Sequence, residues 1–408
     1  MQLVDPSPVW KSLLTAFGGV WLISWVWARS LKNNLHIERE IRFGWTQVGD
    51  RLEERFSLTN KGMIPAIWVE VIDHSTLPGY SVSRATGIES HGTNTWRTNG
   101  VCTRRGVYQL GGTILKSSDP FNIYAVEIHH PEHQIIVVMP PVIPLEEIQI
   151  APSGWVGEGK VRPHMPEQTV NAVTVHEYQQ GESWKHIHWP TTARRGKLYT
   201  RVLDGSPAND WWIILDADIN TQFGQDADST LELGVILAAS LVERGLRARH
   251  SVGFIASSEK TTWLKPQSSA QHSLRIMKDL AMLQTGEQSL AELLERTSSA
   301  FGQHTSLVII TPSLNPDWLT SLTHLIWKGI QPTVLLIDAH SFGAEQKADA
   351  FAGLLTQMNI SRFILDRSLL KRPEAQPGRQ GQWEWRITPS GKAVSTRALG
   401  DITWKKLG

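Results

Sequence analysis

"WWIILDAD", residues 211–218, and "STLELGVILAASLVERG", residues 229–245, set the reading of the larger part of this chain. The first is a short unbroken apolar run. That is the pattern of a parallel strand buried on both faces, which has no solvent side for polar residues to occupy. The second is a helix apolar nearly all round, with Ser229 or Asp228 as its N-cap and Gly245 closing it. The order then repeats. "HSVGFIAS", "TSLVIITPS", "PTVLLIDA" and "RFILD" read as strands; "AQHSLRIMKDLAML", "SLAELLERTSSAF", "DWLTSLTHLIWKG" and "EQKADAFAGLLTQMN" read as the helices between them. Such alternation specifies an open parallel sheet with helices on both faces, a doubly wound α/β domain over about residues 209–366.

Upstream, residues 140–172 are rich in Pro and Gly and read as a connector. Before them the periodicity is two, as in "RLEERFSLTN" and "IWVEVID", with Asn60, Lys61 and Gly62 turning between them. Short strands continue through "RRGVYQLGGTILKSSDPFNIYAVEI" and "QIIVVMPPV", which predicts a β-sandwich of roughly a hundred residues. The tail after Lys371 holds an isolated "WEWRI" strand. The chain is thus a multidomain α+β protein: anchor 1–30, β-sandwich 31–145, connector 146–206, α/β domain 207–370 and tail 371–408.

At 408 residues the chain exceeds one ordinary domain. Its 40 Lys plus Arg against 39 Asp plus Glu argue against a nucleic-acid binder, which carries a basic excess or a basic face. One cysteine, Cys102, excludes an internal disulfide framework and a multi-cysteine zinc site. Residues 12–28 form an uncharged run of seventeen, flanked by Trp10 and Lys11 on one side and by Trp25, Trp27 and Arg29 on the other. That length and those amphipathic flanks predict a membrane-crossing helix, and the bulky "WVWARS" after the run is no signal-peptide cleavage site. A buried helix of a soluble domain is the alternative. Arg29, Lys32, Arg39 and Arg42 follow the run, whereas Lys11 alone precedes it, so the positive-inside rule predicts a single-pass protein of the cell membrane with its large C-terminal part cytoplasmic.

In doubly wound sheets ligands sit at the C-terminal ends of the strands, and the first such loop reads "LDADINT". Asp216, Asp218 and Asn220 stand at alternate positions, a spacing that can aim hard oxygen ligands at one Mg²⁺ or Ca²⁺. The two loops that would complete such a site, "TGEQSL" and "ITPSL", offer hydroxyls from Thr285, Ser289 and Thr311, so at most a weak Mg²⁺ or Ca²⁺ site is expected and no other cofactor. Neither GxGxxG nor GxxxxGK[ST] follows the strand, which argues against a nucleotide. The competing reading has Asp216 cap the turn and Asp218 solvated.

Residues 175–198, "VHEYQQGESWKHIHWPTTARRGKL", are the other dense motif. A metal would use His176, His186 and His188, but HExxH is absent. Nucleic acid would use Trp184 and Trp189 with Lys185, Arg194, Arg195 and Lys197, in a run whose surroundings are neutral. Catalysis would need Ser183 or Thr191 paired with His188. The structural reading pairs Glu177 with Arg194 and lets Tyr178 and Trp189 fill a pocket between the sandwich and the α/β domain.

The order Glu177, Tyr178, Gly181, Glu182, Lys185, Ile187, Trp189, Ala193, Arg194, Gly196 and Leu198 resembles the signature "REYxxGDxxRxIxWxxxARxGxL" of the bacterial domain-of-unknown-function fifty-eight family. "RRGVYQLGGTILKSSDPFNIY" resembles that family's "RGxYxLGPxxLxSxDPFGLF", and "NKGMIPAIWVEV" its "NxGxLPLPWLEV". The resemblance implies N-terminal membrane helices, a β-sandwich and a von Willebrand factor A-like domain, with MoxR-type AAA+ ATPases and transglutaminase-like membrane proteins as genomic neighbours. His176, Glu182 and Lys185 depart from the signature's Arg, Asp and Arg, one membrane segment is present where two are usual, and Pro312 stands where the adhesion-type metal motif expects an acid. The expectation is a membrane-anchored, non-enzymatic adaptor that docks a protein partner, a MoxR-type ATPase by that association, in complex assembly or envelope maintenance. The alternative is a metal-dependent hydrolase with its site between Asp216, Asp218 and the His-rich motif.

Overall fold

A computed structural model describes residues 8–41, 45–151, 174–178, 189–202, 210–258, 261–302, 305–372, 374–375, 385–387, 393–395 and 405–406. The chain separates into two units, one of residues 1–144 with 277–283 and 370–408, the other of 145–276 and 284–369.

In the first unit, helix α1 (Pro8–Asn34) is long and apolar enough to cross a membrane. It runs without a linker into strand β1 (Leu35–Ile41). Strands β2 (Trp45–Gln47), β3 (Arg51–Asn60), β4 (Ala66–Asp73), β5 (Arg84–Ile88), β6 (Thr93–Val101), β7 (Gly106–Ser118) and β8 (Ala125–Met139) follow. One sheet has the order β1-β3-β6, with Lys405 and Lys406 paired on the outer side of β1, and the other has the order β2-β8-β7-β4-β5. The period-two reading of β3 is visible in its burial, where Leu52, Glu54, Phe56, Leu58 and Asn60 face inward between half-exposed neighbours. The core gathers Phe56, Val69, Leu115, Ile136 and Val138, together with Ala28 and Leu31 of α1.

Arg39 corrects the charge count made from sequence. It is 6% exposed rather than a free charge beside the membrane. Its Nε and Nη2 donate to the two Glu54 oxygens at 2.9 and 2.6 Å, Nη1 donates to Asp73 Oδ1 at 2.6 Å, and Nη2 also reaches Ser75 Oγ at 2.9 Å. The Tyr80 hydroxyl donates to Glu54 Oε2. The tail strand is not isolated either, since Trp385–Ile387 pairs antiparallel with Ala393–Ser395.

In the second unit a two-stranded ribbon of β9 (Thr174–Glu177) and β10 (Tyr199–Val202) carries α2 (Trp189–Arg195) in its connection. The large sheet begins with β11 (Asp210–Leu215). A short hairpin, β12 (Gly224–Gln225) and β13 (Asp228–Ser229), leads into α3 (Thr230–Arg247), followed by β14 (Val252–Ala256), β15 (Thr262–Gln267) and α4 (Ala270–Met282), of which residues 277–282 fall in the first unit. The remainder is α5 (Leu290–Thr297), β16 (Thr305–Thr311), α6 (Asp317–Trp327), β17 (Pro332–Ile337), α7 (Asp349–Gln357) and β18 (Ser361–Leu365). The sheet order is β15-β14-β11-β16-β17-β18, parallel except for β15.

Both faces of β11 are covered, as its unbroken apolar run requires. Trp212 and Ile214 pack with Leu293 and Leu294 of α5, Trp318 and Leu322 of α6 and Phe351 and Leu355 of α7. On the opposite face α3 lies so close that a Cβ on Gly234 would stand 2.8 Å from Leu215, and one on Gly245 would stand 2.8 Å from Trp211 and Val252. Gly245 is therefore a packing residue inside α3 and not its terminator; the helix ends at Arg247, with Ala248 as C-cap. Ser229 is the N-cap, accepting from the Glu232 N–H at 3.2 Å. Strand β15 escaped the sequence reading because Pro266 and the exposed Trp263 and Lys265 break its apolar pattern, which marks an edge strand.

Candidate functional site

The strand order reverses between β11 and β16, and the loop after β11 sits at that switch point, where open α/β sheets bind ligands. Asp216 is the first residue past the strand and is 1% exposed. Its Oδ2 accepts from the Thr311 hydroxyl at 2.6 Å, and its Oδ1 from the Asp218 N–H at 3.0 Å. Burial pushes its pKa up to about 6, because the neutral donors around it offset only part of the cost of desolvating the charge. Asp218 repeats the device one step outward: its Oδ1 accepts from both the backbone N–H and the side-chain amide of Asn220, at 3.0 and 2.9 Å.

A second layer holds the loop to its neighbours. Ser257 Oγ, at the end of β14, accepts from the Ala217 N–H at 2.9 Å. Gln222 donates to the Asp216 carbonyl at 3.0 Å and accepts from the Thr230 hydroxyl at 2.7 Å, tying the loop to the first residue of α3. Gly286 exchanges backbone bonds with Ala217 and Ile219, at 2.9 and 2.8 Å. Of the hydroxyls named from sequence, Thr311 reaches the site, Ser289 instead caps α5 through the Glu292 N–H at 3.3 Å, and Thr285 stands half-buried beside Gly286. Ser257, Gln222 and Thr230 were not singled out from sequence. The available signal was a polar residue ending an apolar strand, as Ser257 follows "VGFIA" and Thr311 closes "TSLVIIT".

Among the described residues no group of three or more His, Cys, Asp or Glu is arranged to hold a metal ion. The Asp216, Asp218 and Asn220 side chains fit a loop closed by its own hydrogen bonds, and a cation would have to displace those donors. Outside this polar seam the same loop presents Ile219 and Phe223 to solvent, 56% and 38% exposed.

The His-rich motif is described in part. Glu177 opposes Tyr199 in the β9–β10 ribbon, and the Tyr178 N–H donates to the Leu198 carbonyl at 2.8 Å. Gly196, with φ +69, ends α2 in the left-handed conformation that favours glycine there, and its N–H returns to the Thr192 carbonyl at 2.9 Å. Thr192 Oγ1 accepts from the Tyr199 N–H at 3.1 Å, and the Arg195 guanidinium lies 5.5 Å from the Tyr199 ring centre. The expectation that Trp189 fills a pocket is corrected: its side chain is 64% exposed, on the outer face of a helix of seven residues. Ala193, Arg194 and Gly196 are exposed as well, while Tyr178 is half-buried. Gly181, Glu182, Ser183, Trp184, Lys185, His186 and His188 lie outside the described residues, as does the Glu177 side chain.

An apolar N-terminal helix, two β-sheets and a doubly wound α/β domain define a multidomain α+β protein. Residues 174–338 match the family described as "Protein of unknown function DUF58". No curated protein sequence matches the chain. Among solved structures it is similar to an aerotolerance-related membrane protein from Bacteroides fragilis NCTC 9343 (15% identity, 40% of this chain and 95% of that one, TM-score 0.29). It is also similar to the SpRpn10 VWA domain (11%, 41% and 97%, 0.28) and to the CARDB domain of the PF1109 protein from Pyrococcus furiosus (14%, 26% and 94%, 0.20).

Proposed function

We propose that this chain is a membrane-anchored, non-enzymatic adaptor whose α/β domain docks a protein partner over the loop after β11. The observation that supports this most directly is the division of labour in that loop. Both Asp216 oxygens and Asp218 Oδ1 accept from Thr311, Asn220 and backbone N–H groups, while Ile219 and Phe223 are left on the outer rim. Exposed apolar side chains on a hydrogen-bonded, preorganised loop suit protein docking better than turnover of a small substrate. The family resemblance supplies the partner class, a MoxR-type AAA+ ATPase, and a role in complex assembly or envelope maintenance. For sidedness, Arg39 drops out of the juxtamembrane count, and exposed Arg29 and Lys32 carry the cytoplasmic placement of the C-terminal part.

Two measurements test the reading. The full chain is expected to stay in the membrane pellet through alkaline carbonate washing, and its release would remove the anchor. Detergent-solubilised protein is expected to bind a purified MoxR-type ATPase in biolayer interferometry, with Ile219→Asp and Phe223→Asp each weakening binding about tenfold, equivalent to about 1.4 kcal/mol. Absence of binding, or affinity indifferent to both substitutions, would overturn the docking role.

A further inference from the structure

The two sandwich stretches that resemble family motifs, "NKGMIPAIWVEV" and "SSDPFNIY", are far apart in sequence and adjacent in the fold. The Trp68 indole donates to Ser118 Oγ at 3.2 Å, and Ser117 Oγ donates back to the Trp68 carbonyl at 2.6 Å. Ser118 leads into a tight turn. The buried Asp119 carboxylate accepts the Phe121 and Tyr124 N–H groups at 2.9 and 2.6 Å, and Asn122 takes φ 56. The turn is thereby locked with Phe121 and Ile123 outward, 56% and 48% exposed, and with no charged residue over 120–124. A register shift in β4 between Ala66 and Val69 breaks its alternation and leaves both Ile67 and Trp68 on the outside, 58% and 40% exposed. Four large apolar side chains therefore face solvent on two linked segments.

Their position along α1 says what covers them. The helix meets the sandwich first at Ser24, which is fully buried; Trp27, Ala28 and Leu31 follow on the same face. The Ser24 hydroxyl is a neighbour of Asp119, and α1 packs on β8, which begins at Ala125 directly after the turn. The turn at 119–124 thus stands level with Ser24. The uncharged run of residues 12–28 spans about 25 Å at about 1.5 Å per residue, close to the hydrocarbon core of about 30 Å, so the helix leaves that core near Trp27 or Ala28. Ser24 is then about 5 Å inside the boundary. Arg29 and Lys32, both exposed, come one to two turns later at headgroup level, and Arg29 lies 6.0 Å from the ring centre of exposed Trp25.

We propose that the sandwich is itself a membrane-contacting domain, and that Phe121 and Ile123 of the 119–124 turn, with Ile67 and Trp68 beside them, insert into the lipid interface next to α1. This rests on the reading of α1 as a membrane anchor. The occupant is lipid and not a protein partner, because the turn leads directly into β8, the strand on which α1 packs, and so stands beside the helix where it leaves the bilayer. Insertion at two points would fix the orientation of the sandwich on the bilayer, where a single helix leaves it free to rotate.

The test uses the full chain reconstituted alone in phosphatidylcholine/phosphatidylglycerol nanodiscs. Cys102 is buried, with its thiol pKa pushed up to about 12 by that burial, so it resists labelling and can stay in place. Phe121→Cys, Ile123→Cys, Leu22→Cys on α1 and Arg97→Cys on the opposite sheet are each labelled with an environment-sensitive fluorophore and exposed to lipids spin-labelled at shallow or deep acyl positions. The labels at 121 and 123 are expected to lose about half their emission to the shallow quencher, as befits burial about 5–10 Å into the interface. The label at 22, about 7–8 Å inside the same boundary, should be quenched by lipid as well, and that at 97 by neither probe. Labels at 121 and 123 that behave like the one at 97, while the one at 22 is quenched, would overturn the proposal, place the turn in water or under a protein, and leave the anchor standing. A label at 22 that no lipid quenches would overturn the anchor and the proposal together.

Discussion

The two units each bury carboxylates, and they do so by opposite means. In the sandwich, Glu54 and Asp73 share the Arg39 guanidinium, which also lies 5.0 Å from the Phe56 ring centre. Burial works against that charge, but the hydrogen bond and charge of Glu54, with Asp73, outweigh it and raise the Arg39 pKa. In the α/β domain, Asp216 is buried as deeply and is met by the Thr311 and Thr221 side chains and the Asp218 N–H, beside the Asp218 carboxylate and with no cationic partner among the described residues. Charge met by charge makes a network that fails when one partner is removed; charge met by dipoles makes a group that answers to pH.

The harshest way to break this comparison is Arg39→Met. Two carboxylates would be left in an apolar interior, and the expected loss is about 3–5 kcal/mol of unfolding free energy, read by urea denaturation of the detergent-solubilised chain. A loss no greater than that of a surface substitution would show that Glu54 and Asp73 are solvated or protonated.

The pH response is next in size. Asp216 titrates near pH 6 in the folded chain and near 3.9 unfolded, so the folded state binds the extra proton between those values. Stability from this group is therefore greatest below about pH 4 and lost as pH rises through about 6, by on the order of 2–3 kcal/mol. Asp216→Asn should flatten that stretch of the stability curve, and a variant curve parallel to the parent would exclude Asp216 as its source. Tyr80 supplies the contrasting window. Burial, then the Glu54 charge, raises its pKa, so its contribution holds below about pH 10 and is lost at higher pH, when the unfolded phenol ionises and the folded one does not. Tyr80→Phe should cost about 1.5–3 kcal/mol near neutrality, for the lost bond to a carboxylate, and remove the alkaline loss.

Metal addition separates the regions more gently. Since a cation must displace Thr311 and Asn220 donors from Asp216 and Asp218, binding of Mg²⁺ or Ca²⁺ is expected at the millimolar level or weaker, about 4 kcal/mol or less. A micromolar site in calorimetry, abolished by Asp216→Ala, would restore an adhesion-type mechanism. Smallest of all is Trp189→Ala. With the indole 64% exposed, the melting curve should move by no more than about 0.5 kcal/mol, so a large loss of ATPase binding by this variant would reveal a second docking residue.

Much of this was legible in one dimension, for identifiable reasons. The run at 211–215 is apolar at every position because both faces of β11 are covered, and Ser229 is readable as a cap because its partner is the N–H three residues on. The alternation of β3 likewise exposed its inward face, although it could not say that Glu54 sits there by design. Asp216 was placed correctly at the head of a loop; that both its oxygens would be engaged was not readable, since Thr311 lies 95 residues away.

What the sequence alone determined is what depends on neighbours a few residues apart: the order of strands and helices, the apolar helix at the start, the caps and turns, and the identity of the motifs. Tertiary structure alone decided what depends on partners distant along the chain. It turned Arg39 from a membrane-flanking charge into the centre of a buried network with partners 15 and 34 residues away, and made Gly245 a contact for Trp211 instead of a helix end. It also left Trp189 on the surface and brought Trp68 beside Ser118. The physical reason is common to all four: periodicity reports whether a position faces inward or outward on its own element, but which side chain stands opposite is set by how elements pack, and that is where a charge finds its counterion or an indole its cover.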